Sequence, residues 1–144
     1  MTKNTKFKKK INFDPGELVD KLSILHIKEI KLSKSKTNFS KGISNILKDL
    51  NKYFKKKLNV KLINYIIILS QINLYIWDLR DEINKEKKID KKKLKLSHQL
   101  NAIRNIAKNK ISNVLLDQKN KNFTIRTNID LEDLKNWNFS VLDE

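Results

Sequence analysis

Apolar residues recur along most of this chain at spacings of three and four, the pattern of helices that bury one face. Leu18, Val19, Leu22, Leu25 and Ile30 predict the buried side of a first helix running from Pro15 to about Ser33. Its start is strongly signalled. Asp14 is placed to cap the free backbone N–H groups, Pro15 suits the first helical position, and Glu17 completes a capping box at the positive helix end. The segment 33–42 is dense in Ser, Thr, Asn and Lys and predicts a loop. Ile43, Ile46, Leu47, Leu50 and Phe54 then outline a second helix ending near Lys55-Lys56-Lys57, where cations suit the negative terminus.

A third helix is predicted from about Val60 to Lys85, with a first half so apolar on all sides that it reads as the buried centre. The mixed-charge stretch from Asn84 to Lys93 predicts a solvated connection. Leu96, Leu100, Ile103, Ala107, Ile111 and Val114 mark a fourth helix from about Lys92 to Asp117. The pattern then changes. Phe123-Thr124-Ile125-Arg126-Thr127 alternates like a short edge strand or extended chain, and Asp130 with Asp133 resembles the start of a short final helix through Trp137. The fold class expected is all-α: a small bundle of about four main helices. It divides into a flexible basic leader over 1–12, a bundle over 13–117 and a tail over 118–144 that packs on it.

Composition adjusts this picture only in places. A chain of 144 residues fits one domain with a modest core. With no cysteine there is no disulfide or thiolate chemistry, and no apolar run follows the leader as a secretion signal would require, so a cytoplasmic protein is expected. The run from Leu62 to Leu79 approaches bilayer length. Asn64, Ser70, Gln71, Asn73 and Asp78 interrupt it, at roughly 1–3 kcal/mol for each unpartnered group taken into an apolar medium. A core helix without a membrane span is the better expectation.

The formal net charge of +16 suggests a polyanion partner, including nucleic acid. The excess is lysine, with arginine only at Arg80, Arg104 and Arg126, whereas bidentate phosphate and base recognition favours arginine. Abundant Lys, Asn and Ile is also what an AT-rich genome produces without selection for charge. His26 and His98 lack neighbours at metal-ligand spacing, and no Gly-rich phosphate loop, nucleophile elbow or zinc signature occurs, so no catalytic residue, metal or cofactor is assigned.

Polar residues on apolar faces carry the candidate chemistry. Arg104 falls within the arc of Leu100, Ile111 and Leu115, bordered by Asn101 and Lys108. Such an arginine requires an acidic partner or an anionic ligand. On the third helix Ser70, Asn73, Trp77, Arg80, Asp81 and Asn84 share one side, and Asp81 is the expected partner of Arg104. Glu17, Lys21 and Lys28 share a face of the first helix, where i,i+4 pairing adds only about 0.2–0.5 kcal/mol.

Three blocks resemble a family of small bacterial proteins known only as a domain of unknown function (DUF 6165-like). Pro15 to Leu25, continuing through Ile27 and Lys28, resembles its opening helix. Asn73 to Ile83, with Trp77 and Asp81, resembles its middle block, and Asn101, Arg104, Lys108 and Ile111 its last. The likeness spans about Pro15 to Ser112, departing at Arg80, Asn84, Ala102 and Ser112, with no recognisable family ending after Asn113. It implies a helical domain in which Glu17, Asp20, Lys21, Lys28, Trp77, Asp81, Arg104 and Lys108 form one constellation. It implies no reaction.

The expected ligand-binding set is therefore Glu17, Asp20, Lys21, Lys28, Asn73, Trp77, Asp81, Asn101, Arg104 and Lys108. The function expected is a non-enzymatic binding or accessory protein for an anionic small molecule or an acidic protein partner. Alternatives are lysine-driven binding of polyanions such as nucleic acid, or an enzyme acting on a phosphorylated or nucleotide-sugar substrate, the last carrying the family's loose link to surface-glycan metabolism. A homo-oligomer is compatible with each.

Overall fold

A computed structural model describes residues 13–34, 37–54, 59–116, 134, 136–138 and 140–142. Four α-helices pack together: α1 (Pro15–Lys31), α2 (Ser40–Leu50), α3 (Val60–Lys85) and α4 (Lys91–Leu115). No strand occurs among the described residues. α3 and α4 form the most extensive pairing, and α1 lies against α2, α3 and α4.

Local chemistry starts three of the helices. Asp14 accepts from the Glu17 backbone N–H at 3.1 Å, Asn59 from that of Lys61 at 2.9 Å, and Asp90 from that of Lys92 at 2.8 Å. Pro15 occupies the first turn of α1 as predicted. The capping box is only half formed. Glu17 directs its carboxylate to Lys108 of α4 instead.

The core joins Leu18 and Val19 of α1, Leu69 and Ile72 of α3, and Leu100, Ile103, Ala107 and Ile111 of α4. The tail contributes to it. Leu134 and Val141 are buried in this cluster, and a short 3-10 turn, Ser140–Leu142, packs on α4.

Several expectations are corrected. On α1 the apolar arc rotates inward at Ile27, which is buried, whereas Ile30 is 73% exposed. α2 begins at Ser40, inside the predicted loop, and stops at Leu50, where Tyr53 and Phe54 turn back onto the Leu50 carbonyl. Leu47 and Phe54 are exposed. The Tyr53 hydroxyl donates to the Phe13 carbonyl at 2.6 Å and ties this turn to the chain before α1. Burial, then the nearby Asp14 charge, raises the Tyr53 pKa.

α3 is not enclosed on all sides. It is long and apolar enough, by length and composition, to cross a membrane, but only one face of it is core. Leu62, Leu69, Ile72, Ile76 and Leu79 point inward, while Val60, Ile63, Ile67 and Tyr75 form an outward apolar strip. A cavity of about 220 Å³ lies along that strip between Ile67, Ile68, Gln71, Ile72, Tyr75 and Leu100. Trp137 is not helical. The leader 1–12, the Lys55 to Lys57 cations, the alternating 123–127 segment and the Asp130 and Asp133 start signal lie outside the described residues.

Candidate functional site

At 100° per residue, Asp20 of α1 shares an arc with Gly16, Ile24 and Ile27, so its carboxylate enters the bundle with apolar neighbours above and below. It is only 2% exposed. Arg104 of α4 meets it side-on: Nε donates to Oδ1 at 2.8 Å and Nη2 to Oδ2 at 2.5 Å. This fork geometry is the strong form of an arginine–carboxylate pair. From α3, the Asn73 amide donates to Asp20 Oδ1 at 2.9 Å and to Ser23 Oγ at 3.2 Å. Three helices therefore meet on one carboxylate.

Lys108, one turn beyond Arg104, completes the cluster. Its Nζ lies 2.7 Å from Glu17 Oε1 and 3.8 Å from Asp20 Oδ2. Two carboxylates face two cations, so the buried Lys108 side chain is paired inside the bundle. Burial alone would raise the Asp20 pKa. The hydrogen bonds from Arg104 and Asn73 and the charges of Arg104 and Lys108 outweigh burial and hold it below its ordinary value.

α1 approaches α4 most closely at Gly16. Its N–H donates to Ser112 Oγ at 3.2 Å, and Ser112 Oγ donates to the Lys108 carbonyl at 3.0 Å. A Cβ on Gly16 would strike that carbonyl oxygen and would sit 2.5 Å from Ser112 Oγ. Beside it, Asp14 Oδ1 is buried without a hydrogen-bond partner among the described residues, although Oδ2 caps the helix.

Next to this network lies a cavity of about 290 Å³ between α1, α3 and α4. Ile24, Ile27, Ile76 and Trp77 form its apolar wall, and Asn73, Lys28, Arg80 and Arg104 its polar one. Among the described residues Lys28 and Arg80 form no ion pair.

The predicted partner of Arg104 is corrected. Asp81 lies on the exposed side of α3, where it takes Lys85 at 2.7 Å, and Asp20 occupies the position assigned to it. Lys21 is also outside the cluster: its Nζ sits 5.2 Å from the Phe13 ring centroid. Glu17, Asp20, Asn73, Asn101, Arg104 and Lys108 are brought together, with Asn101 Oδ1 accepting from Arg104 Nη1 at 3.4 Å. Lys28 and Trp77 line the adjoining cavity. Arg80 joins them there, while Ser70 bonds the Ile66 carbonyl and Asn84 is exposed.

Sequence reasoning missed Ser23, Ser112 and the tight contact at Gly16. The available signal was periodicity: Asp20 and Ser23 lie one turn apart, and Arg104, Lys108 and Ser112 repeat every four residues along α4. No family model matches this chain, and no curated protein or solved structure matches it either.

Proposed function

We propose that this protein is a non-enzymatic binding module for a small organic anion, held in the cavity between α1, α3 and α4. The observation that carries the reading is the composition of that cavity. Lys28 and Arg80, with no ion pair among the described residues, border an apolar wall containing Trp77. A cation pair beside an aromatic ring suits a ligand with one charged and one apolar end. The Asp20 and Arg104 network supports the site without being its reactive part, because its donors and acceptors already satisfy one another.

Membership in the small bacterial family is part of this proposal. What supports it is that residues quoted from all three blocks, Asp20, Asn73 and Arg104, are hydrogen-bonded partners. A cytoplasmic location is likewise proposed. The amide of Asn73, on the inner face of α3, is bonded to Asp20 and Ser23 of α1, so this polar group of the apolar helix is held within the bundle.

The test is a thermal-shift screen against organic acids, phosphorylated metabolites, nucleotides, sugar nucleotides, and short DNA and RNA at low and moderate salt. Stabilisation by a small anion that survives moderate salt and disappears in a Lys28→Gln, Arg80→Gln double variant is the expected result. Stabilisation only by nucleic acid, falling steeply with salt, would replace the reading with a diffuse lysine field.

A further inference from the structure

We infer that the cavity selects an amphipathic organic monocarboxylate, with a ring or branched apolar body seated on Trp77 and its single carboxylate held at the mouth by Lys28 and Arg80. This rests on the anion-cavity reading above and specifies its ligand.

The polar atoms limit where charge can sit. Arg104 commits Nε and Nη2 to Asp20, so it is not the free fork that would grip an anion. Both Asn73 amide hydrogens are used by Asp20 and Ser23. What Asn73 retains is a carbonyl oxygen, which accepts a proton donor and repels an anionic oxygen. A charged head is therefore disfavoured beside Asn73 and Asp20. The cations left for it are Lys28 and Arg80, each with one formal charge.

The helix directions point the same way. Ile24, Ile27 and Lys28 lie in the C-terminal half of α1, and Asn73, Ile76, Trp77 and Arg80 in that of α3. Clustered phosphates favour helix N-termini and glycine-rich turns, where backbone N–H groups converge. The cavity has neither: the chain's two glycines, Gly16 and Gly42, are outside its lining. A polyphosphate would find no converging N–H groups and only two uncommitted cationic side chains, the half-buried Lys28 and the exposed Arg80, whereas a monocarboxylate needs only those two.

The apolar wall determines the other end of the ligand. Ile24, Ile27 and Ile76 bring only apolar surface to the lining, and Trp77 adds an aromatic ring. At about 290 Å³ the space is at the small end of ligand sites, fitting one ring with a short acid arm better than a nucleotide sugar.

The experiment follows Trp77 fluorescence in a Trp137→Phe background while titrating phenylacetate, phenylacetamide, inorganic phosphate, pyrophosphate and ADP separately at fixed salt. The expected result is saturable binding of phenylacetate, no response to the amide, and roughly tenfold weaker binding in Lys28→Gln or Arg80→Gln. Both variants should retain their helical circular dichroism, since neither side chain is buried. Saturable binding of phosphate, pyrophosphate or ADP that depends on Lys28 and Arg80, without phenylacetate binding, would overturn the carboxylate assignment but leave an anion cavity standing. Equal binding of the amide would also overturn it. No saturable signal with any anion, or binding indifferent to both substitutions, would remove the anion-cavity reading itself.

Discussion

Replacing Gly16 with alanine should destabilise the fold by about 1–3 kcal/mol, although alanine is the better helix former. The added Cβ collides with the Lys108 carbonyl oxygen and lies 2.5 Å from Ser112 Oγ and 3.0 Å from the Lys108 carbonyl carbon. Two of these contacts are α4 backbone, which moves only if the α1 and α4 pairing opens. Overpacking of this kind costs about 1–3 kcal/mol. Loss of the Gly16 to Ser112 hydrogen bond adds about 1 kcal/mol, and the propensity gain of alanine over glycine returns at most about 1 kcal/mol. The net cost therefore remains near that of the collision. At roughly 3–4 °C per kcal/mol for a domain this size, the melting temperature should fall by about 3–12 °C.

The assay is urea unfolding followed by circular dichroism, with Gly42→Ala as the internal control. At Gly42, inside α2, a Cβ would meet only Leu25 Cδ1 of α1, at 3.4 Å, an ordinary van der Waals contact with a flexible side chain. That change should stabilise by about 0.5–1 kcal/mol. Opposite signs from two chemically identical substitutions isolate the close approach from helix propensity. A Gly16→Ala midpoint at or above wild type would refute the reasoning, because α1 and α4 would then not be held at this separation.

The remaining predictions concern the same helices. Ile27→Ala should cost about 2–3 kcal/mol in urea unfolding, while Ile30→Ala should stay within about 0.5 kcal/mol, since only Ile27 is buried. Asp20→Asn should cost about 3 kcal/mol at neutral pH, the low end for breaking a buried pair, because Arg104 retains some access to solvent. The Asp20 pKa is lowered from its ordinary value of 3.8, so its stabilisation is present above about pH 4 and lost as pH falls through the folded value. Urea midpoints measured from pH 7 down to pH 2 should accordingly fall less steeply in Asp20→Asn than in wild type. Asp81→Asn should change stability by less than about 0.5 kcal/mol, because its pair with Lys85 is exposed, and a loss comparable to that of Asp20→Asn would restore Asp81 as the partner of Arg104.

The helices were legible where local chemistry and periodicity agree. Asp14 and Pro15 announce α1, and the bounds of α3 follow directly from its apolar run. Faces were less legible. Ile30 lies close enough to the apolar arc of α1 to be read as buried, yet the helix ends at Lys31, where no described residue covers it. The outward strip of α3 has the same origin: an apolar side chain records what can be buried, and packing decides what is. Arg104 was identifiable as an arginine in need of a partner, but its acid was not. Asp20 and Asp81 are equivalent in one dimension, and only the packing of α1 across the α3 and α4 pair favours the former.

The network also explains why a cavity exists beside it. Helices with aliphatic faces can slide past one another at little cost, because leucine and isoleucine contacts are interchangeable between registers. Asp20 removes that freedom. A shift of one turn in α1 would leave a buried carboxylate without Arg104 and Asn73, and an unpaired buried charge costs several times what the pair itself contributes. The carboxylate therefore acts chiefly by making misaligned packings unfavourable, adding little net stability to the correct one. With α1, α3 and α4 locked at this level, Lys28 and Arg80 border the same space about two turns away. The charge that selects the register is neutralised within the network, and the charge exposed to a ligand is positive.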